Sequence, residues 1–157
     1  FFDKAVEGAV MFALNQGEVC TCPSRMLIQE DIYEEFIEKV IARTESIVQG
    51  DPYDMKTQLG AQASEDQFDK ILSYIKTGKE EGAEVLTGGE QFQASGDYKD
   101  GFYVKPTILK GHNKMIVVII PFIIFTRCLK IFWCFKHYKT TVFLELIVYF
   151  PYLIFVE

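Results

Sequence analysis

Beyond Gly111 the sequence contains no glycine, and from Met115 to Glu157 it also lacks Ala, Ser, Asp, Asn and Gln. Chains turn and cap their elements with those residues, so this tail is missing the punctuation of an ordinary domain. Phe, Ile, Leu, Val, Tyr and Lys fill it instead. A long uninterrupted apolar run is absent too. Met115 to Phe125 is apolar but broken by Pro121, and Thr141 to Val156 carries Glu145 and Pro151. Neither reaches the roughly 20 apolar residues that cross a bilayer. A membrane-associated segment is one reading of the tail; read-through of a shifted frame or intron is the other, and the missing turn residues favour it.

Cysteine is scarce. Cys20, Cys22, Cys128 and Cys134 are the whole set, unevenly spaced, which argues against a disulfide framework and for a reducing, cytoplasmic setting. No cluster of Lys and Arg interrupts a formal charge of −6, so nucleic acid is not an expected partner. The opening FFDKAVEG has neither an initiator Met nor a basic stretch leading into an apolar one. No signal peptide is therefore expected, and a start inside a helical pattern suggests a piece of a longer polypeptide.

What is present before Met115 reads as α/β protein. Val6, Ala9, Val10 and Ala13 recur at helical spacing until Asn15-Gln16-Gly17 ends the run. Met26-Leu27-Ile28 suits a short buried strand. Asp31 is placed to cap a second helix with the stripe Ile32, Phe36, Ile37, Val40 and Ile41, stopped by Gly50-Asp51-Pro52. Ser64 and Gln67 have capping-box spacing ahead of Phe68, Ile71, Leu72 and Ile75, and Gly78 and Gly82 are expected to end that third helix. Residues 83–87 and 102–109 read as strands. Alternation of this kind favours an open, largely parallel sheet flanked by helices.

The chemistry concentrates in NQGEVCTC, residues 15–22. A thiol acts as a nucleophile only as thiolate, which needs exposure and nearby donors. A loop between helix and strand supplies exposure, and main-chain N–H groups from Gly17 to Cys20 could face an oxyanion. By local pattern alone a lone cysteine such as Cys20 is more often a small buried packing residue than a nucleophile. Metal binding through Cys20, Cys22, Cys128, Cys134 and His137 is a third reading, with spacing unlike that of paired zinc knuckles. His112 has no partner motif and reads as a surface residue. Glu18, two residues from Cys20, invites a general-base role.

The stretch AVMFALNQGEVCTCPSR resembles the active-site cysteine segment of the aldehyde dehydrogenase superfamily, through Asn15, Gln16, Gly17, Glu18, Cys20, Ser24 and Arg25. The resemblance continues through LIQEDIYEEFIEKV, GAQASEDQFDKILSYIKTGKEEGAEVLTGG and GFYVKPTIL, closest to bacterial acetaldehyde and short-chain aldehyde dehydrogenases. It implies a catalytic-domain piece over residues 1–114, followed by an unrelated apolar tail over 115–157. It further implies that Cys20 attacks a small aldehyde, that NAD or NADP takes the hydride, and that Gln67 and Lys70 approach the nicotinamide ribose. Without the family, Gln67 would be a helix-cap partner of Ser64 and Lys70 a solvated helix residue. The family takes either Gln or Glu at the position of Glu18, which weakens the base reading, and it is homo-oligomeric. The family's base Glu, oxyanion Asn and Gly-rich phosphate turn have no counterpart here. IVVIIPFIIF stands where its Glu-Glu-Ile-Phe-Gly-Pro stretch is expected, so little turnover is expected of this chain alone.

Overall fold

The computed structural model describes residues 1–19, 25–112 and 115, together with the backbone of 153–156. Helix α1 (Phe2–Leu14) buries Val6, Val10, Phe12 and Ala13. It packs on α2 (Tyr33–Glu45), which buries Phe36, Ile37, Val40 and Thr44. Phe2 meets Phe36 edge-on at 5.4 Å, and on the solvent side Arg43 Nε bonds Glu7 Oε1 at 2.9 Å. Burial of the two stripes drives the pairing, since an exposed ion pair adds little.

The third helix, α3 (Glu65–Glu80), faces the core with Ile71 and Ile75. Its start follows the expected cap, with Ser64 Oγ accepting from the Gln67 N–H at 3.2 Å. Its end does not fall at Gly78, which lies buried inside the helix; Gly82, at φ +92°, supplies the left-handed turn beyond it. The expected Asp31 cap is also absent. Asp31 sits in a 3-10 turn (Glu30–Ile32) and accepts from Gln29 Nε2, while Ile32 holds the cap position without a side-chain bond.

Four short strands form one sheet in the order β1 (Arg25–Met26), β4 (Leu153–Val156), β3 (Thr107–Lys110), β2 (Glu84–Thr87). β4 pairs parallel with both β1 and β3, whereas β2 and β3 run antiparallel. Only a 3-10 turn (Gly96–Tyr98) lies between β2 and β3, and the chain returns antiparallel as a long hairpin rather than a crossover. The sheet is thus mixed, parallel in two of its three pairings. β3 is shorter than the apolar run 102–109 suggests. Pro106 lacks the N–H a ladder needs, and Val104 before it makes only an isolated bridge to Gln91. The hairpin bends at Gly88, φ +74°, where any Cβ would collide with the Pro106 carbonyl. Ile108 and Leu109 are wholly buried against the helices and complete the core.

Candidate active site

Cys20 and Cys22 lie outside the described residues, as do Cys128, Cys134 and His137 of the metal reading. Among the described residues no group of His, Cys, Asp and Glu could hold a metal ion. None of their helices is long and apolar enough to cross a membrane. The site is therefore built from the turn that leads to Cys20 and from what that turn touches.

Helix α1 ends in a left-handed cap. The Gly17 N–H reaches back to the Phe12 carbonyl at 3.1 Å and the Gln16 N–H to that of Ala13 at 2.9 Å, the paired bonds of a Schellman motif. The left-handed position belongs to Gln16, at φ 54°, the single non-glycine with positive φ among the described residues, and Gly17 follows at φ 63°. Helix 1 thereby stops within one turn and sends the chain out toward Cys20.

Two side chains of this turn then cross to an extended segment 45 residues downstream. Gln16 Nε2 donates to the Ala61 carbonyl at 2.7 Å, and Glu18 Oε1 accepts from the Ala63 N–H at 3.0 Å. Between those two contacts the Gln62 N–H faces the other way, to the Phe102 carbonyl at 2.8 Å. The segment behaves as a strand would, with residues 61 and 63 bonded on one side and 62 on the other. Its next residue is Ser64, the cap of α3.

That chain of contacts ties the turn before Cys20 to the helix carrying the two other expected site residues. Gln67 and Lys70 are one turn apart on α3 and share a face. Gln67 is half-buried and Lys70 exposed. Gln67 serves the cap through its main-chain N–H, which does not commit its carboxamide. Glu18 is exposed, and its Oε1 is engaged with the Ala63 N–H. His112 is exposed, as expected, and its carbonyl accepts from the Met115 N–H.

Sequence reasoning missed Gln62. Only 4% exposed, it has both carboxamide atoms buried without a hydrogen-bond partner among the described residues. A Gln between two alanines gives no sign of burial. A separate cavity of about 440 Å³ opens where α2 meets the β2–β3 hairpin, lined in part by Thr44, Glu45, Thr87, Glu90 and Lys105. Its rim is self-paired, Thr87 Oγ1 donating to Glu45 at 3.0 Å and Lys105 to Glu90 at 2.6 Å. The Lys105 ammonium bonded to Glu90 holds that carboxyl below its ordinary value. Neither Gln67 nor Lys70 lines this cavity.

A model of the aldehyde dehydrogenase family matches residues 2–119. The chain belongs to the aldehyde dehydrogenase family. An aldehyde dehydrogenase of Deinococcus radiodurans is 67% identical over 115 residues, 73% of this chain and 22% of the relative. Acetaldehyde dehydrogenase 2 of Cupriavidus necator is 62% identical over 115 residues, 73% of this chain and 23% of that protein. Among solved structures, betaine aldehyde dehydrogenase from Staphylococcus aureus in complex with NAD⁺ aligns with TM-score 0.74 at 27% identity, over 99% of this chain and 26% of its own. PnpE in complex with nicotinamide adenine dinucleotide aligns with TM-score 0.69 at 37% identity, over 74% of this chain and 24% of its own. The chain thus spans under a quarter of the length of these curated relatives.

Proposed function

We propose that this chain is the nucleophile-bearing piece of an NAD(P)-dependent aldehyde dehydrogenase acting on a small aldehyde, with Cys20 as the nucleophile. One observation carries the reading: the turn leading to Cys20 is hydrogen-bonded to the segment that caps α3, the helix of Gln67 and Lys70. Those bonds join the turn before Cys20 to the helix of Gln67 and Lys70, which supports a thiol and dinucleotide contacts acting together, as hydride chemistry on a bound aldehyde requires.

In this mechanism the Cys20 thiolate adds to the aldehyde carbon, whose π electrons move to oxygen to give a thiohemiacetal. Main-chain N–H groups of the loop stabilise that oxyanion. Held in part by Gln67 and Lys70, NAD(P)⁺ would supply the acceptor for the hydride on that carbon, leaving a thioester on Cys20. Water adds to the thioester and the thiolate departs, releasing the carboxylic acid and restoring Cys20. A half-buried carboxamide at Gln67 and an exposed ammonium at Lys70 suit the ribose hydroxyls and the phosphates beyond them. Relatives solved with the dinucleotide support NAD as the cofactor.

Iodoacetamide labelling of Cys20, resolved by peptide mass spectrometry, tests the nucleophile. A rate flat down to about pH 7 supports a lowered thiol pKa, and a rate falling away below the ordinary value of about 8.5 defeats it. Turnover by the 157 residues alone is a separate matter. They carry no counterpart of the family's base or phosphate-binding turn, and little NADH is expected from acetaldehyde and NAD⁺. Robust NADH production would overturn that expectation. We further assign residues 1–114 to the catalytic domain and, from the composition break at Met115, 115–157 to a tail of separate origin, even though the family match runs on to 119 and residues 153–156 pair with β1 and β3. Genomic DNA encoding Glu-Glu-Ile-Phe-Gly-Pro in another frame past codon 114 would support it, and its absence in every frame would count against it.

A second reading, a non-catalytic piece that joins intact subunits, has support from the sheet. Among the described residues β2 is an edge strand, paired on one side. Co-purification with a full-length family member tests it.

A further inference from the structure

We propose that Gln16 is a positioning residue for the nucleophile: its carboxamide bond to the Ala61 carbonyl fixes the direction in which the chain leaves α1 toward Cys20. The proposal rests on the assignment of Cys20 above and adds a residue to it.

Gln16 occupies the left-handed cap position of a Schellman motif, at φ 54°. Glycine takes that conformation freely, whereas a side chain there is disfavoured by about 1 kcal/mol or more. A glycine is at hand one residue later, so the turn has not simply been closed by the residue that suits it. Such positions persist where surrounding contacts over-determine them, and they gather at functional sites.

The compensating contact is visible. Gln16 Nε2 donates to the Ala61 carbonyl at 2.7 Å, and the carboxamide lies over Gly60, where a built Cβ would stand 3.6 Å from it. Glu18 repeats the grip on Ala63 two residues on. Ending the helix needs only the main-chain bonds of Gly17 and Gln16. The side-chain bond does something else: it registers the turn against the segment that caps α3.

Two substitutions in the 157-residue chain separate these roles. Gln16→Gly relieves the backbone and removes the carboxamide. Gln16→Glu keeps length and left-handed strain but cannot donate to a carbonyl. Cys20 labelling is read well above the ordinary thiol pKa of about 8.5, where every thiol is ionised, so the variant-to-wild-type ratio reports loop geometry whether or not the thiol is activated. Amide hydrogen exchange at Gly17 and Glu18 reports the turn itself.

Both variants are expected to change the Cys20 rate at least about fivefold, the effect of roughly 1 kcal/mol, and to speed exchange at Gly17 and Glu18. Unchanged labelling in a folded Gln16→Gly chain overturns the proposal, even if exchange rises. Should Gln16→Glu fail to fold, Gln16→Gly decides alone. An ordinary pH profile for the wild-type thiol would defeat the nucleophile assignment, whereas a variant ratio near one would defeat Gln16.

Discussion

Glu18 Oε1 accepts a hydrogen bond from the Ala63 main-chain N–H at 3.0 Å, joining residues 45 apart. The bond needs an acceptor at this length and not a negative charge. Glu18→Ala should lower stability by no more than about 1 kcal/mol, because the group is exposed, and should speed amide exchange at Ala63. Glu18→Gln, whose carbonyl oxygen also accepts, should restore both. A Gln variant as weakened as the Ala variant would show that charge, not the bond, matters.

The hairpin glycine gives a larger effect. Gly88 is at φ +74°, and an added Cβ would meet the Pro106 carbonyl and, at 2.8 Å, Thr107 Oγ1. Gly88→Ala therefore combines backbone strain with a collision against main chain that cannot swing aside. A loss of about 2 kcal/mol or more is expected in urea unfolding. An unchanged midpoint would mean that the β2–β3 turn differs from the one described.

Tyr103 supplies a pH dependence. It is buried, donates to the Gly50 carbonyl at 3.0 Å, and burial raises its pKa above the ordinary 10.0, with nearby Asp51 adding to the effect. A raised pKa means that the folded state favours the protonated phenol. Its contribution is present below the unfolded value and is lost as pH rises through the folded one. Stability should fall more steeply above about pH 10 in the native chain than in Tyr103→Phe. Equal alkaline slopes in the two proteins would remove Tyr103 from the account. At neutral pH the Phe variant should lose about 1 kcal/mol, from the Gly50 carbonyl left without its donor.

Gln62 should respond in the opposite direction. With both carboxamide atoms buried and unpartnered among the described residues, it carries a desolvation cost without the bonds that offset it. Gln62→Leu keeps the volume and is expected to raise the urea midpoint, equivalent to about 1 kcal/mol. A clear drop would reveal that the carboxamide is bonded after all.

Periodicity made the helices legible. Val6-Val10-Ala13, Phe36-Ile37-Val40 and Ile71-Ile75 are buried as their spacing requires, and Ser64 caps α3 as its spacing with Gln67 implies. Local rules failed where a distant group set the outcome. Thr44 extends the α2 stripe by returning its hydroxyl to the Val40 carbonyl, and Gly78 stays helical because it is packed. Pairing direction in β2–β3 depends on the path of the intervening chain, which periodicity does not encode. At the site, the NQG motif marked the turn that ends α1. The bonds from Gln16 to Ala61 and from Glu18 to Ala63 join segments far apart in sequence, and no local pattern announces them.

The strand order also sets a timetable. Among the described residues β1 touches β3 only through β4, so residues 25–26 gain their described strand neighbour only once residues 153–156 have been synthesised. During translation the α1–α2 pair can form early from nearby contacts, while closing the sheet awaits a loop of more than a hundred residues. The strand that opens at Arg25 is then among the last described parts of the protein to be held in place. A ribosome-stalled chain lacking residues 153–156 should show α1–α2 protection from exchange well before protection appears at Arg25 and Met26.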